Sequence, residues 1–315
     1  MTDTDLPSSR PILVTGAHRS GTTWAGRMIA RSPNIRYIHE PFNPDAFRPG
    51  ICAARFEREF TYVCAENAAS YQDDLKLCLE FRYRFAESLR RVRTAADAVR
   101  TARDFGRFAF SRWRKARPLV KDPHAVFSAE WLARTFGMNV VVMIRHPAAF
   151  VGSLKKARWA FRFGQFLEQP LLMRHHLSRF QTEIEALAIE TGDIVDQGIL
   201  LWNVIYDVIL QYRNRHPDWI FVRHEDLSRD PVHRFFDLFQ SLGLKYTDSV
   251  RRAIADFSGP HNPGEQHNGS HIRRDSESNI WNWKKRLTPG EIERVRTHTG
   301  AIASQFYGEE DWRHP

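Results

Sequence analysis

The stretch from Pro11 to Pro44 constrains this chain most. Ile12 to Val14 is a short apolar run that reads as a buried strand. Gly16 to Thr23, GAHRSGTT, is a loop bounded by glycines, and an amphipathic helix follows with Trp24, Met28 and Ile29 on one face. Strand, loop and helix start together make an anion cradle, because the free N–H groups of the loop and first turn point at one spot. The spacing G-x-x-x-x-G-x-T is that of a nucleotide phosphate loop with one residue changed. Thr22 stands where a lysine is expected, and the cation, Arg19, lies inside the loop. A phosphate-bearing nucleotide held differently from ATP is the expected ligand.

Further short strands are predicted at Ile35 to Ile38, Pro118 to Lys121, Val140 to Ile144 and Trp219 to Val222. Helices are expected from Ser128 to Gly137, from about Ala148, from Gly198 to Arg215, after the Asp230–Pro231 cap and after the Thr288–Glu291 capping box. This alternation argues an α/β fold with a central parallel sheet covered on both faces. One domain over 1–315 is expected, with a helical insertion at about 44–117. Within it, residues 90–117 hold ten Lys or Arg against Asp97 and Asp104. Leu89, Val92, Ala96, Val99 and Phe105 fall there at helical spacing. That pattern suits first a solvated amphipathic helix, with a face toward an acidic glycan or anionic lipid headgroups as the sharper reading.

Strands of such a sheet present their last residues at the carboxyl edge, where ligands bind. The Gly16–Thr23 loop, Lys121, Arg145 with Ser153, and the basic loop His261–Lys285 are expected to converge there. A metal-dependent phosphate-loop enzyme would end its second core strand in an aspartate that holds Mg²⁺. Here the strand ends in Arg145, which repels a metal but can hold a second phosphate through its planar fork, with Ser153 beside it. Two phosphate sites and no metal are the result. The net charge of +9 fits an anionic partner without choosing one.

Gly16 to Trp24 resembles the 5′-phosphosulfate loop of the sulfotransferase family, whose cofactor is 3′-phosphoadenosine 5′-phosphosulfate (PAPS). Ile144-Arg145-His146-Pro147 with Ser153 resembles that family's 3′-phosphate site, and Trp281 to Thr288 its C-terminal cofactor segment. Val222 to Leu227 followed by Pro231 is similar to its segment after the adenine-side strand. The Arg-Ser-Gly loop and Lys121-Asp122-Pro123 resemble the carbohydrate and tyrosylprotein branch and its bacterial relatives.

The resemblance implies the fold of the phosphate-loop nucleoside triphosphate hydrolases and in-line sulfonate transfer to an acceptor hydroxyl. His18, Arg19, Ser20, Gly21, Thr22, Thr23, Trp24, Arg145, Ser153, Trp283, Lys284 and Lys285 would bind PAPS and its product, adenosine 3′,5′-bisphosphate (PAP). Glu40 would be the general base, and Arg19 and Lys121 would stabilise charge, with His39 and His124 as rival bases. A saccharide or glycolipid acceptor is expected, with Phe47, Phe56, Phe60, Trp113, Trp159, Phe161 and Phe163 as candidate acceptor contacts. Arg158 and Arg162 would favour an acidic saccharide. The polar, acidic N-terminus has no signal-peptide pattern, so a cytoplasmic protein is expected, with peripheral membrane contact through 90–117.

Two other readings compete. A phosphate-loop kinase using ATP is opposed by Thr22 and Arg145. A basic nucleic-acid-binding protein is motivated by the charge and by 12% aromatic residues, but no recognition motif supports it.

Overall fold

The computed structural model of the chain describes residues 10–190, 192–263, 273 and 275–313. Five parallel strands form the sheet: β1 (Ile12–Gly16), β2 (Ile35–His39), β3 (Arg117–Lys121), β4 (Asn139–Ile144) and β5 (Ile220–Arg223). Their spatial order is β2-β3-β1-β4-β5. The alternation along β1 sorts its side chains between two cores. Ile12 and Val14 join Val141 and Met143 on one face, while Leu13 joins Val140, Val142 and Ile144 on the other.

Helices cover both faces. In chain order they are α1 (Thr22–Ile29), α2 (Gln72–Leu79), α3 (Phe85–Leu89), α4 (Ala95–Trp113), α5 (Ala129–Phe136), α6 (Pro147–Ala157) and α7 (Gly164–Leu167). Then follow α8 (Pro170–Leu172), α9 (Gln181–Ile189), α10 (Ile194–Arg215), α11 (His224–Arg229), α12 (Pro231–Ser241), α13 (Asp248–Ser258) and α14 (Pro289–Ala303). Residues of α1, α12 and α13 pack on the first face, those of α5, α6, α10 and α14 on the second.

Several sequence expectations are refined. Ser128 precedes α5 but does not cap it: its hydroxyl accepts from Val63 N–H at 2.8 Å and donates to Thr61 O at 2.9 Å. It pins the insertion to the turn before α5 instead. Helix α10 is long and apolar enough to cross a membrane by length and composition. It is a core helix, with 72% of its most apolar 18-residue stretch buried and Trp202 and Tyr206 inaccessible.

The run from Leu89 to Phe105 is not one helix, because Thr94 caps a new one at α4. The buried side of α4 is Thr101, Asp104, Phe108 and Ser111, whereas Val99 and Trp113 are 69% and 76% exposed. Its polar residues find partners inside: Ser111 Oγ accepts from Arg36 Nε at 2.6 Å, and Asp104 pairs with Arg48 at 3.3 Å. The apolar side is thereby left to face outward.

Candidate functional site

The carboxyl edge opens from the loop upward. Gly16 has φ of +131°, and a Cβ there would lie 2.3 Å from the Met143 carbonyl oxygen, so β1 turns where only glycine fits against β4. Gly21, at φ +89°, starts α1 with no side-chain cap, leaving the first-turn N–H groups for a ligand. Arg19 sits between these glycines in left-handed backbone, φ +63°.

The two predicted phosphate sites touch. Arg19 Nε donates to Ser153 Oγ at 2.9 Å, and Arg145 Nη1 donates to the Arg19 carbonyl. Helix α10 clamps Arg145 in turn: its N–H donates to Tyr206 Oη at 2.6 Å, and its carbonyl accepts from Trp202 Nε1 at 3.1 Å. Glu225 anchors the next residue, accepting from His146 N–H at 3.1 Å and from Tyr307 Oη at 3.0 Å.

Across the loop stands Glu40, just past β2, at φ +43°. Its N–H donates to Lys121 O at 2.9 Å. Its carboxylate accepts from Lys121 Nζ and, at 2.6 Å, from Asn43 Nδ2. Burial alone would raise the Glu40 carboxyl, but the Lys121 charge and these hydrogen bonds hold it below the ordinary value. Burial pulls the Lys121 ammonium down, partly offset by Glu40. Asp122 fixes the turn, with its carboxylate accepting from Phe42 N–H at 2.6 Å and His124 N–H at 2.9 Å. Burial pushes Asp122 up to about 7.

Between loop and Glu40 lies a cavity of about 320 Å³. His18, Arg19, Gly21, Thr22, Thr23, Trp24, Glu40 and Arg145 line it, joined by Asn43, Glu59, His124, Trp159 and His224. Ser20, Lys121 and Ser153 are buried behind it. Among the described residues, both ring nitrogens of His18, Trp24 Nε1, Glu59 Oε2 and His124 Nδ1 present buried, unpartnered polar atoms in its wall. Such orphaned groups fit a polar ligand.

The rival bases separate. His39 faces a different groove, while His124 lines this one, held neutral by burial at about 4. Trp283, Lys284 and Lys285 stand apart from this cavity. Trp283 is buried at 2% exposure, stacked on His146 at 5.4 Å and packed on Gly152, and none of the three lines the cavity. Ser276 and Asn279 are what the described part of the late loop contributes; 264–272 and 274 lie outside the described residues.

Of the acceptor candidates, Trp159 lines the cavity, while Phe56, Phe60, Phe161 and Phe163 are core. Arg158 is exposed at the end of α6, and Arg162 pairs with Glu168 at 3.4 Å; neither lines the cavity. Asn43 and Glu59 carried no motif; their place in the wall follows from folding of the 43–60 segment.

The buried histidines set a pH dependence. Burial lowers His124 to about 4, His176 to about 4 and His146 to about 3, and His18 also falls well below its usual value. The unfolded chain takes up protons near pH 6.5 and the folded chain does not, so this stability is full above that pH and lost as pH falls toward 4. Asp122 has the opposite sign, its raised value favouring the fold below pH 7. At pH 5 each of His124, His176 and His146 costs about 2 kcal/mol, against roughly 2 regained by the one aspartate. Calorimetry should therefore record a lower Tm at pH 5 than at pH 7, and a higher one would refute neutral histidines.

A sequence model described as the Sulfotransferase family matches residues 11–248. No curated protein matches the chain. Among solved structures, the sulfotransferase domain from the curacin biosynthetic pathway is 16% identical, with 95% of this chain and 97% of that one covered at a TM-score of 0.53. Sulfotransferase STF9 from Mycobacterium avium is 15% identical, covering 97% and 79% at a TM-score of 0.47. Mouse sulfotransferase SULT7A1, solved with PAP, is 11% identical, covering 95% and 85% at 0.44. The first of these shares the fold: a parallel sheet of the phosphate-loop type, flanked by helices.

Proposed function

The chain belongs to the sulfotransferase family, and from that premise we propose that it moves a sulfonate group from PAPS to a hydroxyl of a saccharide or glycolipid, with Glu40 as general base. The observation that carries this reading is the contact between the two anion-holding groups, Arg19 with Ser153 and Arg145 with the loop. It suits a nucleotide with phosphates at two places better than a linear triphosphate with Mg²⁺.

When bound, PAPS supplies the activated sulfonate. The loop N–H groups, Thr22, Thr23 and Arg19 would hold its 5′ side, Arg145 and Ser153 its 3′-phosphate, and Trp24 would border the adenine. Glu40 is ionised at neutral pH, so it is free to accept a proton from the acceptor hydroxyl. While paired with Lys121 it is a weak base, and loosening that pair raises its basicity. Side-chain cations do the charge stabilisation, so no metal is assigned a role. His124 is the alternative base, favoured by its neutral ring and unpartnered Nδ1 in the cavity wall. Thermal shift tests the donor: PAP should stabilise the chain, and ATP with Mg²⁺ or an oligonucleotide should not. No response to PAP would overturn the reading.

Membrane contact through 90–117 is part of the proposal, for a chain working in the cytoplasm. Val99, Phe110 and Trp113 stand exposed on the outer side of α4, among Arg103, Arg112 and Arg114. Apolar side chains flanked by arginine suit the surface of an anionic bilayer. Co-sedimentation with phosphatidylglycerol vesicles is expected for the wild type and not for a Phe110→Ala/Trp113→Ala double variant. Equal sedimentation of both would rule this face out.

A further inference from the structure

Beside the cavity lies a second groove of about 700 Å³, between the end of β2, the segment 45–51 and α4. The two spaces meet at Asp45, which lines both, and the neighbours His39 and Glu40 face one each. The groove therefore leads away from the candidate base.

Its wall is rich in arginine. Arg48 is matched by Asp104 and Arg100 by Asp97. Arg36, Arg91 and Arg107 have no carboxylate partner among the described residues. Arg36 spends its Nε on Ser111, and Arg91 lies over the Phe47 ring at 4.9 Å. Burial and the charge of Arg107 together lower Arg36, which shows two like charges facing one space. Like charges held together cost free energy unless an anion lies between them. Phe47 and Tyr37 add ring faces to the same wall, a combination that suits sugar rings bearing acidic groups.

We propose that this groove binds the acceptor as a saccharide carrying carboxylate or sulfate groups, with Arg36, Arg91 and Arg107 on the anions and the reacting hydroxyl reaching Glu40. This rests on the sulfonate-transfer reading of the adjoining cavity. It goes beyond that reading in naming a charged acceptor and the surface that selects it.

The probe is trigalacturonate, with its fully methyl-esterified form as the neutral control, titrated into the full chain with and without PAP. The acid should bind at least tenfold more tightly than the ester. Arg91→Gln and Arg107→Gln, both exposed and away from the core, should each raise its Kd by about tenfold and leave the PAP-induced thermal shift unchanged. No binding of the acid, equal binding of acid and ester, or an unchanged Kd in both variants overturns the groove assignment. PAP is read in the same samples, so a missing PAP shift would instead count against the donor site. A PAP shift without charge discrimination would sink the groove alone.

Discussion

Glu40→Gln is expected to lose about 10²–10⁴-fold in turnover while binding PAP as the wild type does. The amide keeps the size of the side chain and its contact with Asn43 but cannot take a proton. The backbone around it is held independently, by the Glu40 N–H to Lys121 O bond and by Asp122 on Phe42, so the turn should survive. Radiolabelled sulfonate transfer measured beside the PAP thermal shift separates chemistry from binding. His124→Asn is the companion variant, because His124 shares the cavity and is neutral. Full activity in Glu40→Gln with loss in His124→Asn would move the base to the histidine. Loss in both would leave Glu40 as base and His124 as a contact to the transferring group.

Arg145→Ala should weaken PAP by 10²-fold or roughly that, enough to abolish the thermal shift at moderate ligand. Two charge-assisted hydrogen bonds to a phosphate, at about 1.5–3 kcal/mol each, account for that size. The substitution also frees the Arg19 carbonyl, so part of the loss would come through the loop. A double-mutant cycle with Ser153→Ala tests the connection, since Ser153 reaches the same loop through Arg19 Nε. Strict additivity would show that the two anion sites act separately. Unchanged PAP affinity in Arg145→Ala would overturn the placement of the 3′-phosphate.

The features legible in sequence were those with a local cause. Gly16 and Gly21 mark the loop, since their positive φ and the Met143 carbonyl leave no room for another residue. The apolar run of β4 announces a strand covered on both sides, and Thr288 with Glu291 forms the expected capping box. Arg145 at a strand end follows from the same run. By contrast, no element was expected between the helix from about Ala148 and that at Gly198, where 164–189 folds into helices of three to nine residues. Short pieces of this kind take their conformation from what they pack against.

Partnerships were decided by the sheet. Nothing in the order of residues says that β2 lies beside β3 and not beside β1; the register His39 opposite Lys121 then sets Glu40 against a lysine 81 positions away. The same holds for Ser153, which turned out to hold Arg19, and for Trp283, which stacks on His146. On α4 the periodicity was present, but which face is buried depended on polar partners contributed by Arg36 and Arg48. From the sequence alone came the phosphate loop, the cation at the end of β4 and the α/β class, because glycine sterics and side-chain periodicity act within a few residues. The Glu40–Lys121 pair, the joined anion sites and the arginine-lined groove came only with the tertiary structure, because they depend on strand order and register between segments distant in the chain.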